Sequence, residues 1–352
     1  MFSRRRLMTG AVTAAAALVL AACGGGSDSE AGSSTSETSS ASGASFPITV
    51  KHALGETVVE KKPERVATVQ WANHEVPLAL GVVPVGLAKA NFGDADGDGY
   101  LPWVKDKLTE LKSDTTPVLF DETDGIDFEA VADTQPDLIL ATYSGMTAED
   151  YKTLSEIAPT VAYPNGPWET SWRDMIKLSS QAMGQATQGD ELIASIESQM
   201  KDAAAKYPQI AGKKTMFLTH VDTADLSKVS FYTDKDTRAQ FFTDLGMGTP
   251  GSIADASAQT DEFSQEVSAE TVDTFDDVEI IVTYGDDKLL KQLKDDPILS
   301  KMPAVASGAI VALDGTSEVG TAANPTPLAI SYVLDDYVKM LADAADKVDA
   351  AQ

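Results

Sequence analysis

Three histidines, His52, His74 and His220, and one cysteine, Cys23, are all the imidazole and thiol groups that 352 residues offer. A single cysteine excludes an intramolecular disulfide framework and every zinc motif built on paired cysteines, and three scattered histidines make a poor metal cage. No Gly-x-Ser-x-Gly elbow occurs, nor a P-loop, nor a dinucleotide Gly-x-Gly-x-x-Gly after a strand, so the chain is not expected to be an enzyme. Asp94-Ala-Asp-Gly-Asp-Gly99 has the first half of a calcium loop, with acids at alternate positions and the turn glycine. Lys105 stands where the closing glutamate belongs, which favours a flexible acidic loop over a cation site. The remaining pattern belongs to binding. The segment from Glu129 to Tyr143 aligns without a gap on that from Glu270 to Tyr284, at an offset of 141, with Glu, Val, Ile, Thr and Tyr coincident.

Those pairs need elements to position them. From Phe46 onward, short apolar runs alternate with helical periods, the pattern of α/β units. Strands are expected at 65–70, 83–88, 137–142 and 160–163. Residues 73–80 read as a helix ended by Gly81. Residues 190–206 carry Leu192, Ile193, Ile196 and Met200 on one face and read as a single helix of about 20 residues, ~30 Å long. Strands resume at 214–219, 229–232, 280–283 and 309–313, and a helix over about 327–343 closes the chain. The expected fold is α/β: two Rossmann-like lobes over 46–185 and 209–352, connected by a single long α-helix within 186–208. Asp127 and Ser268 are the expected N-caps two residues before Glu129 and Glu270. A helix that precedes its strand runs antiparallel to it, so each Glu lies at the end where the strand delivers its Tyr. Ligands of open α/β sheets bind at that carboxyl edge.

The N-terminus sets the address. Arg4, Arg5 and Arg6 precede an apolar run from Ala11 to Ala22 that is too short to cross a ~30 Å hydrocarbon core. Leu20-Ala21-Ala22-Cys23 resembles the bacterial lipobox, making 1–23 a lipoprotein signal peptide with Cys23 lipidated, and Ser3-Arg4-Arg5 with Leu7 also looks like a twin-arginine signal. Residues 24–45, rich in Gly, Ser and Thr, read as a disordered tether. The folded part is therefore expected on the outer face of the cytoplasmic membrane. With 54 acidic against 27 basic residues the net charge is −27, which argues against nucleic acid and against charge-driven attachment to an anionic bilayer. Anchorage must come from lipid.

Taken together, Arg65-Val-Ala-Thr-Val with Glu75, Leu80-Gly-Val-Val-Pro-Val-Gly86, Glu129-Ala-Val-Ala-Asp-Thr-Gln-Pro-Asp-Leu-Ile, Ser268-Ala-Glu270 and Asn324-Pro-Thr-Pro-Leu resemble the binding proteins of ABC importers for ferric siderophores, haem and cobalamin. The resemblance covers roughly 46–345. Gly97 through Leu101-Pro-Trp103 and the 164–174 segment look more like the iron-siderophore branch. The resemblance implies a monomer that captures a ferric siderophore between its lobes, brings no cofactor of its own because the chelator saturates the iron, and docks on the permease through Glu129 and Glu270. An acid in a helix's first turn also gains ~0.3–1 kcal/mol from the macrodipole, so both glutamates have a purely structural reading beside the docking one.

A ferric chelate shows the protein oxygens and chain carbons, so its receptor needs aromatic walls and a few donors. Trp71, Tyr143, Trp168, Tyr232 and Tyr284 follow strands and are the candidate walls, with ordinary interlobe packing as the competing role for each. Trp172 and Arg173 fall inside the next helix and are weaker candidates. Arg238 is the candidate donor to iron-bound oxygens, against a surface pair with Asp234 or Asp236; Lys89 is a lesser one. The lack of a basic cluster tilts the ligand toward a neutral or cationic hydroxamate. A haem- or cobalamin-binding protein of the same fold is the rival reading, with His220 or Tyr143 as a haem axial ligand.

Overall fold

The computed structural model describes residues 44–351. The signal segment, Cys23 and nearly all of the expected tether lie outside the described residues. The described chain opens with an antiparallel hairpin, β1 (Ile48–His52) and β2 (Gly55–Val59). Its strands alternate buried and exposed residues, and Gly55 turns it at φ 133°. The sequence reading began its strands at 65 and missed this hairpin, although Thr57 and Val59 keep the period of two. His52 is spent here: its Nε2 lies 3.0 Å from Thr57 Oγ1.

Next come β3 (Val66–Thr68), α1 (Glu75–Ala79), β4 (Gly86–Ala88), α2 (Pro102–Leu111), β5 (Val118–Phe120), α3 (Phe128–Asp133), β6 (Leu138–Leu140), α4 (Ala148–Ile157), β7 (Thr160–Val161) and α5 (Trp172–Ala182). The five strands form a parallel sheet in the order β5-β4-β3-β6-β7. β3 and β6 are buried at every residue, as expected for strands covered on both faces by crossover helices. Gly86 is held to glycine by Phe120, whose ring would meet a Cβ at 2.2 Å. The chain then enters α6 (Ala186–Ala205), which buries Ile193, Ile196 and Met200 as the apolar stripe requires.

After α6 come β8 (Thr215–Leu218), β9 (Lys228–Tyr232), α7 (Thr237–Asp244), α8 (Gly251–Ser257), β10 (Ser264–Ser268), a 3₁₀ segment (Ala269–Phe275), β11 (Ile280–Tyr284), α9 (Asp287–Asp295), α10 (Pro303–Ser307), β12 (Ile310–Leu313), α11 (Glu318–Ala322) and α12 (Pro327–Ala351). The second sheet, β10-β9-β8-β11-β12, repeats the first order but is mixed: β9 runs antiparallel to both neighbours. The reason is in the chain. Only residues 219–227 join β8 to β9, and a parallel crossover needs a dozen or more.

The internal repeat falls on equivalent parts. Asp127 and Ser268 cap as expected, accepting from the Ala130 and Glu270 N–H groups, and Glu129 and Glu270 are exposed. The closing helix is longer than its expected end at 343. Leu341, Ala344, Ala345 and Val348 keep a buried stripe through an alanine-rich tail that loses little entropy on becoming helical. α12 also packs beyond its own lobe, touching α1, α2 and α6.

Candidate functional site

In both sheets the winding reverses at one place, between β3 and β6 in the first and between β8 and β11 in the second. Loops leaving such neighbouring strands diverge and leave a crevice. Trp71 and Tyr143 follow β3 and β6; His220 and Tyr284 belong to the ends of β8 and β11. The two crevices open on one cleft of about 360 Å³, and all six candidate ligand residues line it: Trp71, Tyr143, Trp168, Tyr232, Arg238 and Tyr284.

Each wall residue is fixed by its surroundings. Buried Asn73 donates to the carbonyls of Val69 and Tyr143, both at 2.8 Å, and accepts from the Tyr143 N–H at 2.9 Å, so one amide fastens the loop after β3 to the end of β6. Trp71 sits between Gln70 and Ala72, both left-handed at φ 63° and 61°. Trp168 is itself left-handed at φ 64°, its N–H bonded to the Ser144 carbonyl at 3.0 Å. A bulky residue in that region costs of order 1–3 kcal/mol and persists only where surroundings impose it. The imposition is visible: the indole lies against Gly145, where a Cβ would come within 2.3 Å of Nε1, and meets Tyr143 edge-on at 5.3 Å.

The opposite wall is built around Arg238. Its Nη1 donates to Asp236 at 2.8 Å, its Nε to the Tyr284 hydroxyl at 3.1 Å, and its guanidinium carbon lies 4.4 Å above the Tyr232 ring. Of the two pairings open to Arg238, the carboxylate is that of Asp236, and the pair is buried rather than at the surface, with Asp236 only 2% exposed. Burial opposes the guanidinium's charge, but Asp236 outweighs it and Arg238 titrates well above its usual range. Nη2 has no protein acceptor among the described residues. Tyr232 does not arrive as a strand end on the carboxyl edge, because β9 is reversed. Leu218 pairs with Phe231, leaving Tyr232 beside the Phe217 ring at 5.5 Å, from where it lines the cleft. His220 stacks on Tyr284 at 4.6 Å.

The cleft ties the two halves together. Asn324 donates to the Tyr143 hydroxyl at 3.0 Å and accepts from Thr237 Oγ1 at 2.8 Å. Beneath it, fully buried Glu75 accepts from Trp103 Nε1 and the Leu328 N–H, each at 2.7 Å, and so caps the first turn of α12. Burial raises this carboxyl above its usual range, opposed by the bonds it accepts.

Residues 66–316 match the periplasmic binding protein family. The chain belongs to that family. A crystal structure of PiaA from Streptococcus pneumoniae in complex with ferrichrome is 45% identical to this periplasmic binding protein, with a TM-score of 0.81 over 85% of this chain and 99% of that one. The probable siderophore-binding lipoprotein YfiY of Bacillus subtilis is 28% identical, over 85% of this chain and 90% of its own. Staphylococcus aureus SirA, solved with staphyloferrin B, shares the fold at 21% identity and a TM-score of 0.64, over 83% and 98% of the two chains.

Within this binding protein the lesser candidates separate. Trp172 and Arg173 start α5 and face α7 instead of the cleft: both donate to Asp244, at 3.0 and 2.8 Å, and Arg173 also donates to Glu197 at 2.7 Å. Lys89 is exposed and lines a side chamber rather than the main cleft. Asp94, Asp96 and Asp98 do cluster, but Lys105 reaches into them at 2.6 Å from both Asp96 and Asp98, supplying the positive charge itself. His74 is buried without a partner for Nδ1, and burial lowers it to about 4, so it is neutral. Sequence reasoning missed Asn73 as the clamp and Asn324 and Phe92 as cleft residues, and it offered Asp236 only as a surface partner of Arg238, not as a buried counter-charge. Only Asn324 had a signal, its place in the Asn-Pro-Thr-Pro motif.

Proposed function

We propose that this protein captures a ferric siderophore in the cleft and delivers it to an ABC permease. The observation that carries the reading is the cleft wall itself: Trp71, Tyr143, Trp168, Tyr232 and Tyr284, drawn from both sheets, meet one guanidinium whose Nη2 is uncommitted. Rings supply contact for chelate carbons, and the planar fork suits iron-bound oxygens. The likeness to PiaA, solved with ferrichrome, supports the same assignment. Iron comes within its chelator, so the wall needs no metal ligands of its own. Arg238 is already balanced by Asp236, and among the described residues no other lysine or arginine lines the cleft, which favours a neutral or cationic chelate, hydroxamate in type, over a tris-catecholate.

Haem held through a Tyr143 phenolate fits this wall less well. Burial, above all, raises the Tyr143 phenol, and its oxygen is engaged by Asn324, the reverse of what an axial phenolate requires. The glutamates Glu129 and Glu270 are the proposed docking points, Cys23 the lipid anchor, the outer face of the cytoplasmic membrane the location, and the monomer the working unit. In place of catalysis, the work is carriage. Complementation of a strain lacking this protein tests capture and delivery together, with iron uptake as the readout. The double variant Glu129→Arg, Glu270→Arg is expected to bind chelate normally and fail in uptake; normal uptake would remove the docking assignment, and lost binding would remove the division of labour between rim and cleft.

A further inference from the structure

Beside the cleft lies a second chamber of about 270 Å³ that shares Trp71, Asn91 and Trp168 with it, so the two indoles stand between the spaces. At ~30 Å³ per liquid water, it has room for a short chain. Leu87, Leu101 and Val104 give it an apolar side. Its polar side is unfinished. Glu122 spends one oxygen on Gln70, accepting its backbone N–H at 2.8 Å, while Oε1 is buried with no donor; Trp71 Nε1 and His74 Nδ1 are also buried without partners. Three such atoms on residues that line one chamber are conspicuous, because buried polar groups are nearly always hydrogen-bonded.

Two of the three have a fixed sense. The indole N–H can only donate and a carboxylate oxygen can only accept, so a single occupant completes the chamber if it brings an acceptor near the cleft and a donor deeper in. His74 is neutral and adds no competing charge, whereas the one lysine on the chamber, Lys89, is exposed. Burial raises Glu122 to about 7, the mark of a carboxylate that lacks the cation or donor its burial calls for.

We infer that this chamber is a subsite for a protonated amine arm of the ferric chelate, with Glu122 receiving the ammonium and the Trp71 N–H an oxygen at the arm's root. The inference rests on the siderophore reading and narrows it to chelates carrying a primary amine on a flexible chain.

Two probes test it on the purified protein: a linear ferric trihydroxamate ending in a primary amine, and the same chelate with that amine acetylated. A charge-assisted bond predicts a preference of about tenfold or more for the amine form. Glu122→Gln should abolish that preference, with the ratio of the two affinities as the readout. Equal affinities in the unmodified protein, as for a chamber holding only water, would overturn the inference while leaving the siderophore reading intact. A preference that survives Glu122→Gln would also overturn it. If neither chelate binds while other ligands do, the siderophore reading fails and takes the inference with it. The comparison in the unmodified protein stands even if the variant does not fold.

Discussion

The two sheets share one strand order and yet contribute different things to the cleft. In the first, every strand is parallel, and each carboxyl-end loop feeds the ligand side: Trp71 after β3, Asn91 and Phe92 after β4, Glu122 after β5, Tyr143 after β6 and Trp168 after β7. In the second, the short β8–β9 connection reverses one strand, and beside the strand-end residues His220 and Tyr284 the wall takes a residue of the reversed strand, Tyr232, and a helix start, Arg238. The first wall is aromatic and held by backbone clamps such as Asn73. The second holds the cleft's charge, with Asp236 buried to balance it. A parallel sheet thus displays a row of loops, whereas a reversed strand frees a helix N-terminus to place a guanidinium.

The difference is open to attack, most severely at the charged wall. Arg238→Ala leaves Asp236 buried and unpaired, and removing one partner of a buried pair costs about 3–5 kcal/mol. Denaturant unfolding should show that loss, Asp236→Asn in the same chain should recover much of it, and chelate binding should stay lost in both. Recovery of binding together with stability would mean that Arg238 serves only the fold. Next comes the joint between the walls. Asn324→Ala strands the Tyr143 hydroxyl and Thr237, and an unsatisfied buried polar group costs about 1–3 kcal/mol; an unchanged denaturant midpoint would show that the joint carries no stability.

On the aromatic wall a pH effect follows from Glu122. Its folded value, about 7, lies above the ordinary 4.5, so the folded state takes up the proton more readily than the unfolded one. Stability is then fullest below 4.5 and falls as pH rises through about 7. Glu122→Gln should flatten that fall, and an unaltered slope would show that another group sets it. The smallest effect is expected at the acidic loop: with Lys105 among Asp96 and Asp98, calcium should leave Tm unchanged, and a clear rise would restore the cation site.

Much of this was legible in residue order. Alternating α/β units, the α6 stripe, both N-caps and the 141-residue echo gave the lobes their equivalent parts, because periodicity and capping are local properties. The five aromatic cleft candidates followed from one rule, that sheets bind at their carboxyl edge, and Arg238 from the donor chemistry of a planar fork. What the sequence did not announce depends on partners far apart in the chain. Asn73 reads as a loop residue until Tyr143 folds against it, and Glu75 as a helix-start acid until Leu328 comes to it 253 residues later. The reversal of β9 was legible in principle from its nine-residue connection, but Tyr232 was read as if every strand ran the same way. Trp168 gave no hint of its left-handed backbone, since only Gly145 opposite makes room for it.

Trp71 and Trp168 line the cleft, so their fluorescence reports directly on its occupancy. The decisive measurement is a tryptophan-fluorescence titration of the purified protein with ferric trihydroxamates, ferric catecholates, ferric citrate, haem and cobalamin, with displacement by unlabelled chelator as the control for absorbance. Saturable quenching by one ferric chelate, abolished in Arg238→Ala, is the predicted result. Saturation by haem or cobalamin with silence from every ferric chelate would contradict the account, leaving the family membership and overturning the ligand.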